Sequence, residues 1–208
     1  ILLRALIVGV LVSLCAALLG VSLVLKRYSM IGDGLSHVGF GALAVAAVMN
    51  WAPMAVAVPV VIAAAFLLLR ISGSSRIKGD SAIALISTGA LAIGVMAVSM
   101  SGMNSDLDSY LFGSIYAISE GDVVISVVLA LIVHVLFVLF YTKIFAITFD
   151  DNFARATGTK AGLYNMLIAL LTAVTIVIGM RMMGSMLISS LIIFPALCSM
   201  RVFRSFRA

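Results

Sequence analysis

The chain has 208 residues, of which 64% are hydrophobic and 10% are charged, and its formal net charge is +5. A typical soluble domain has roughly 25% charged residues, so this composition excludes a soluble domain and indicates a polytopic membrane protein in contact with lipid. The basic residues lie in short stretches between apolar runs, so the positive charge does not indicate binding to nucleic acid.

Seven apolar runs are close to the length of about 20 residues that a helix needs to cross a bilayer. They predict an all-α, polytopic transmembrane helical bundle, and residues 1–208 are expected to form a single transmembrane domain. The predicted spans are residues 5–25, 31–49, 53–69, 81–100, 123–141, 163–180 and 184–200.

The basic residues predict the orientation of these spans. Eleven of the thirteen Lys and Arg residues fall in one set of alternating loops, and only Arg4 and Arg181 fall in the other. Cytoplasmic loops carry the excess of Lys and Arg. The start of the chain is therefore expected outside the cell and its end in the cytoplasm.

The second span begins with Met-Ile-Gly-Asp-Gly-Leu-Ser-His at residues 30–37. Asp33 and His37 are four residues apart, so they would share one helix face. A carboxylate and an imidazole inside a membrane are costly and are a functional site by default. Together they suit zinc, manganese or ferrous iron. Water, Ser36, a second subunit or another helix would supply the remaining ligands; alternatively, Asp33 only caps the second span.

Three further groups have weaker functional interpretations. His134 lies in mid-span, where a lone histidine more often forms a hydrogen bond between helices than binds a metal. An acidic external loop could attract cations or meet a binding protein, or it could simply be solvated; its residues are Asp106, Asp108, Glu120 and Asp122. Methionines near the sixth and seventh spans could bind cuprous copper but are more often packing; they are Met180, Met182, Met183 and Met186.

The longest predicted cytoplasmic loop contains a candidate docking element at residues 149–158. Asp150 or Asp151 can cap a short helix, and Gly158 can end it. Phe149 and Phe153 would then lie on one exposed face. This pattern predicts a surface that docks a soluble partner.

Four stretches, in order along the chain, resemble the integral-membrane permease family of ABC importers for zinc, manganese and iron. The first is the segment that holds Asp33 and His37, and the second is Lys-Gly-Asp-Ser-Ala-Ile at residues 78–83. The third is Asp-Ser-Tyr-Leu-Phe-Gly at residues 108–113. The fourth runs from Phe149 to residues 184–196, which read Gly-Ser-Met-Leu-Ile-Ser-Ser-Leu-Ile-Ile-Phe-Pro-Ala.

The resemblance implies a permease in the plasma membrane of a prokaryote, with a second permease copy, two cytoplasmic ATP-binding subunits and an external metal-binding protein as partners. Asp33 and His37 match the family's metal path, which implies a transported divalent metal ion and no permanently bound cofactor. The segment that docks the ATPase would include Phe149, Asp150, Phe153, Ala154 and Gly158. Family members usually continue for at least one more helix, so the chain is expected to lack its last helix or helices.

Three other classes of function remain as alternatives. A permease for metal chelates such as siderophores or cobalamin would have a similar architecture but would not need a paired Asp and His. A carrier driven by an ion gradient would need no site for an ATPase. An intramembrane hydrolase is disfavoured because the spans contain neither His-Glu-x-x-His nor Gly-x-Ser-x-Gly, and no catalytic residue is assigned.

Overall fold

The computed structural model describes residues 2–26, 29–72, 79–102, 111–114 and 120–203. These residues form helices and no strand, which confirms the all-α prediction for the described part of the chain. The helices are α1 (Leu2–Leu25), α2 (Ser29–Val48), α3 (Pro53–Ser72), α4 (Gly79–Ser101), α5 (Glu120–Leu139), α6 (Tyr141–Phe149), α7 (Asp151–Ala156) and α8 (Ala161–Val202).

Among the described residues, five helices are long and apolar enough to cross a membrane, namely α1, α2, α3, α4 and α8. Helices α5 and α6 are bent by 75° relative to each other and would form a sixth crossing if they count as one span. The multi-span architecture predicted from the sequence is therefore present, whereas the predicted count of seven spans is not confirmed.

Helix α8 covers 42 residues but is interrupted at Gly184, whose φ of 80° and ψ of 165° are not helical. A Cβ atom placed on Gly179 would lie 2.4 Å from Cδ1 of Ile188. In a straight helix, residues 179 and 188 would be about 13 Å apart along the axis. The chain therefore folds back at Gly184, at the boundary between the predicted spans 163–180 and 184–200.

The junction between α2 and α3 shows how local sequence sets the helix ends. Asn50 adopts φ 54°, the left-handed conformation that commonly terminates a helix, and the amide of Trp51 donates to the carbonyl of Ala46 at 2.9 Å. Pro53 then begins α3, where its missing N–H costs no helical hydrogen bond.

Helix α2 is the centre of the bundle. It packs against α4, α3 and α8, while α1 packs along α8 and α5. Two-thirds of the membrane segment of α2 is buried, compared with about one-fifth for α3 and α4. A helix that is apolar and enclosed in this way needs small residues at its contacts.

The two ends of the bundle carry separate polar contacts. At one end, Arg4 of α1 donates to Glu120 at the start of α5. At the other end, Lys26 donates to Asn165 in the first turns of α8. Residues that the charge distribution places on the same side of the membrane thus lie together in the structure.

Candidate functional site

Asp33 and His37 face each other in the first turns of α2. Oδ2 of Asp33 lies 3.6 Å from Nε2 of His37. Zinc binds carboxylate oxygen and imidazole nitrogen at about 2.0–2.2 Å, so two ligands at the tetrahedral angle are about 3.4 Å apart. The two donor atoms are therefore separated by nearly the distance that one shared metal ion requires.

The pair lies on the one face of this part of α2 that the chain leaves partly open. The side chains of Asp33 and His37 are 41% and 21% exposed. Leu35 and Phe40, on the other faces of the helix, are fully buried. Asp33 and His37 thus lie on a partly exposed side of α2, called the opening below. The hydrophobic core lies on the other sides of the helix.

Close packing of α2 against α4 fixes the direction of this face. A Cβ atom on Gly34 would lie 2.7 Å from Cγ2 of Ile83, and one on Gly41 would lie 2.5 Å from the carbonyl oxygen of Ala90. Real Cβ atoms essentially never approach so closely. The two glycines therefore allow α4 to contact the backbone of α2 and hold the rotation of α2 about its axis.

One buried polar atom of the Asp33–His37 pair has no hydrogen-bond partner among the described residues. This atom is Nδ1 of His37. An unpaired buried polar atom typically costs about 1–3 kcal/mol. Ser36 is fully buried, and its hydroxyl donates to the carbonyl of Asp33 at 2.7 Å, so it faces away from the opening.

The described part of the chain supplies only two donors to this site. Within it, no three His, Cys, Asp or Glu side chains come close enough together to hold a metal ion. A tetrahedral site needs four ligands and an octahedral one six. A metal ion held by this pair would take its remaining ligands from water, from donors other than His, Cys, Asp and Glu, or from outside the described residues.

The other sequence candidates lie away from this pair. His134 is exposed on α5, which packs mainly against α1, so in the single chain it is not enclosed between helices. Of the acidic loop, Asp106 and Asp108 lie outside the described residues, and Glu120 contacts Arg4.

Two of the four candidate methionines, Met180 and Met182, pack against glycines. Met180 is 1% exposed, and its Cε lies 2.5 Å from the Cβ position of Gly39. Cε of Met182 lies 3.1 Å from the Cβ position of Gly9, and Met186 is exposed. These contacts favour the packing interpretation over a copper site, because adaptable thioether side chains fill the space beside glycines.

The predicted docking segment forms the short helix α7. Asp150 is its N-cap, since one carboxylate oxygen of Asp150 accepts a hydrogen bond from the amide of Phe153 at 2.9 Å. Thr157 is the C-cap, and Gly158 follows with φ 81°, which glycine adopts without strain. The predicted helix and its end at Gly158 are therefore present, and Asp150, rather than Asp151, caps it.

Helix α7 is anchored on one side and exposed on the other. Ala154 is fully buried in a small cluster with Ile147 and Ala161. Phe149 and Phe153 are 59% and 62% exposed. The segment thus presents two exposed aromatic rings, Phe149 from the end of α6 and Phe153 from α7, beside a helix that is fixed to the bundle, as a docking surface requires.

The match to a protein-family model covers the whole chain. The model is described as the ABC 3 transport family, and it matches residues 1–208. The chain belongs to the ABC 3 transport family. The resemblance drawn from the four sequence stretches is therefore confirmed.

Curated relatives in this family are named for metal transport. The chain is 28% identical over 193 residues to the manganese import system permease protein ScaB of Streptococcus gordonii, covering 93% of this chain and 69% of that protein. It is 28% identical over 206 residues to the high-affinity zinc uptake system membrane protein ZnuB of Haemophilus influenzae, covering 99% and 79% respectively.

A solved structure shares the fold. It is described as PsaBC from Streptococcus pneumoniae in complex with Fab. The TM-score is 0.85 at 28% identity, and the match covers 99% of this chain and 74% of that one. The arrangement of helices around α2 is therefore an architecture that a related protein adopts.

Proposed function

We propose that this chain is the membrane permease subunit of an ATP-driven importer of a divalent transition metal, and that Asp33 and His37 contact the metal on its path. The observation that carries the proposal is an acid and an imidazole 3.6 Å apart on the central helix of an ABC 3 transport family member. Two ligands that leave coordination positions open suit transport, because a closed four-ligand cage would not release its ion.

A second copy of the permease is the partner that would cover the open face of α2. A carboxylate that faces lipid is costly, and such groups almost always face a bundle interior or a water-filled cavity. In a symmetric pair, each copy would contribute Asp33 and His37 to a shared path.

The energy source would be a separate cytoplasmic ATPase. The sequence has no Gly-x-x-x-x-Gly-Lys-Ser/Thr segment to hold a nucleotide phosphate, so ATP hydrolysis would come from a partner and this chain would act as the transport subunit. The proposed ATPase-docking element is α7 together with the end of α6. Phe149 at the end of α6 and Phe153 in α7 are exposed, and Asp150, Ala154 and Gly158 set the shape of α7. An external metal-binding protein would deliver the ion.

Within the plasma membrane of a prokaryote, the proposed orientation has the start of this chain outside and its end in the cytoplasm. The polar contacts at the two ends of the bundle support it, since Arg4 and Glu120 would lie outside and Lys26 and Asn165 inside. We propose that the two halves of α8, before and after Gly184, are separate crossings. With α5 and α6 as one crossing, the described helices would span the membrane seven times.

The cargo would be manganese, zinc or iron rather than a chelate. The relatives described above are named for manganese and zinc. An imidazole with a carboxylate suits these ions, and supply and geometry select among them more than ligand type does. The metal would pass through as substrate and would not remain as a cofactor.

Uptake of radiolabelled manganese and zinc, in separate assays on cells that express the complete importer, tests the proposal. Asp33→Asn and His37→Ala are expected to lower uptake by about 10-fold or more, because losing even a group that orients a metal ligand costs about 10–100-fold. His134→Ala removes the other histidine and is the matched control, with uptake unchanged. Unchanged uptake in the first two variants, with the complex assembled, would favour a chelate permease instead.

A further inference from the structure

A chain of polar contacts connects α7 to the end of α1. The ammonium of Lys26 donates to Oδ1 of Asn165 in α8. Nδ2 of Asn165 donates to Oδ1 of Asp151, the first residue of α7, at 3.2 Å. Three residues far apart in the sequence thus join α1, α8 and α7 at the end of the bundle that carries the docking helix.

The position of Lys26 makes this contact relevant to the metal path. Its amide donates to the carbonyl of Ser22, so it extends the last turn of α1. The chain then leads directly into α2, which begins at Ser29 and carries Asp33 and His37 in its first turns. A displacement of Lys26 would therefore reach the helix that carries the metal pair through a very short connection.

A cavity of about 250 Å³ lies beside these hydrogen bonds. Its lining includes Leu25, Lys26, Thr148, Asp151 and Asn165, from both sides of the junction. Since side chains do not fill this space, packing alone does not fix the distance between α7 and α1 here. The hydrogen bonds through Asn165 bridge this space and, together with the apolar cluster of Ile147, Ala154 and Ala161, connect α7 to the rest of the bundle.

The charge environment supports an attraction across the junction. Burial lowers the pKa of Lys26 from 10.5 to about 8. The carboxylate of Asp151 raises that pKa, and the guanidinium of Arg155 lowers it further. Asp151 also accepts a hydrogen bond from Nε of Arg155 at 2.9 Å, but Arg155 is 62% exposed and lies on the outer side of α7.

We propose that Lys26, Asn165 and Asp151 are positioning residues that transmit movement of α7, driven by the docked ATPase, to α1 and α2. The proposal rests on the proposed function, in which α7 docks an ATPase and α2 carries the metal. In this proposal the hydrogen bonds from Lys26 through Asn165 to Asp151, called the polar relay, couple ATP hydrolysis to transport. The apolar cluster around Ala154 keeps α7 folded onto the bundle. Loss of the relay should separate ATP hydrolysis from transport while leaving the complex assembled.

The test is the number of metal ions transported per ATP hydrolysed by the complete importer in vesicles. Lys26→Met and Asn165→Leu keep side-chain length or volume but remove the polar groups. They are expected to lower the transported ions per ATP by about 5-fold or more, the lower end of typical coupling between sites. Binding of the ATPase subunit and its hydrolysis rate should stay within about 2-fold of wild type. Lys26→Arg keeps the charge and the donors and should retain coupling.

Thr148→Val is the matched control, because Thr148 lines the same cavity but its hydroxyl donates within α6, to the carbonyl of Ile144 at 2.6 Å, and so takes no part in the relay. The double variant Lys26→Met with Asn165→Leu should be no worse than either single variant, since both cut the same chain of contacts. Coupling equal to wild type in both single variants, or an equal loss in Thr148→Val, would overturn the relay. A wild-type complex that hydrolyses ATP without importing metal would instead refute the proposed function.

Discussion

The substitution Gly41→Ala probes the contact between α2 and α4 that orients Asp33 and His37. The added Cβ would lie 2.5 Å from the carbonyl oxygen of Ala90, and ordinary contact begins near 3.4 Å, so α2 and α4 must separate by about 0.9 Å. On the α4 side the backbone is equally close, because a Cβ on Gly94 would lie 2.9 Å from Cα of Gly41. Overpacking of this kind costs about 1–3 kcal/mol.

Gly89→Ala is the matched control for this substitution. Gly89 lies in α4 and has nothing within 4 Å of its Cβ position. Both substitutions gain about 0.5–1 kcal/mol of helix propensity, so the difference between the two variants isolates the steric term. For a chain of this size, each kcal/mol shifts the melting temperature by about 2–4 °C.

Thermal unfolding of the purified permease in detergent measures that difference. Gly41→Ala is expected to melt about 2–12 °C below Gly89→Ala, and its metal uptake is expected to fall because Asp33 and His37 move with α2. Equal melting temperatures for the Gly41→Ala and Gly89→Ala variants would contradict the close contact between α2 and α4. They would also remove the explanation for why Asp33 and His37 face the opening.

Three further outcomes concern the end of the bundle that carries α7. Asp150→Ala removes the N-cap of α7, which typically costs about 1 kcal/mol, so ATPase-subunit binding should weaken relative to Asn152→Ala on the same exposed helix. Phe153→Ala should weaken that binding in pull-down assays without changing the melting temperature, because the ring is 62% exposed. Raising the cytoplasmic-side pH from 7 to 9 deprotonates Lys26 through its pKa of about 8 and should lower coupling.

Each of these outcomes has a result that contradicts it. Equal ATPase binding by the Asp150→Ala and Asn152→Ala variants would mean that the cap does not support docking. A lower melting temperature for Phe153→Ala would mean that the ring is part of the fold. A fall in coupling above pH 8 that persists in Lys26→Arg, whose guanidinium stays charged, would assign the pH dependence to another group.

Local sequence signals predicted the central features because they depend on helix geometry alone. The spacing of Asp33 and His37 places them on one face in any α-helix, and the structure brings their donor atoms to 3.6 Å. An acid before a short helix and a glycine after it likewise predicted α7, although the choice between Asp150 and Asp151 required the structure.

Features that depend on distant contacts were not predictable. Asn165 lies within an apolar run and gave no signal of its own, yet it joins Lys26 to Asp151. The sequence also gave no sign that α6 would bend by 75° from α5 before reaching α7. Both features depend on which helices become neighbours, and hydropathy carries no information about that.

The central claim is that the imidazole of His37 binds the transported ion. Pulsed electron paramagnetic resonance of Mn²⁺ added to the assembled complex detects a directly coordinated histidine nitrogen through its coupling to the metal. The nitrogen signal is expected in the wild type and in His134→Ala and should be absent in His37→Ala. A signal that persists in His37→Ala would contradict the claim and show that the metal path does not run through this pair.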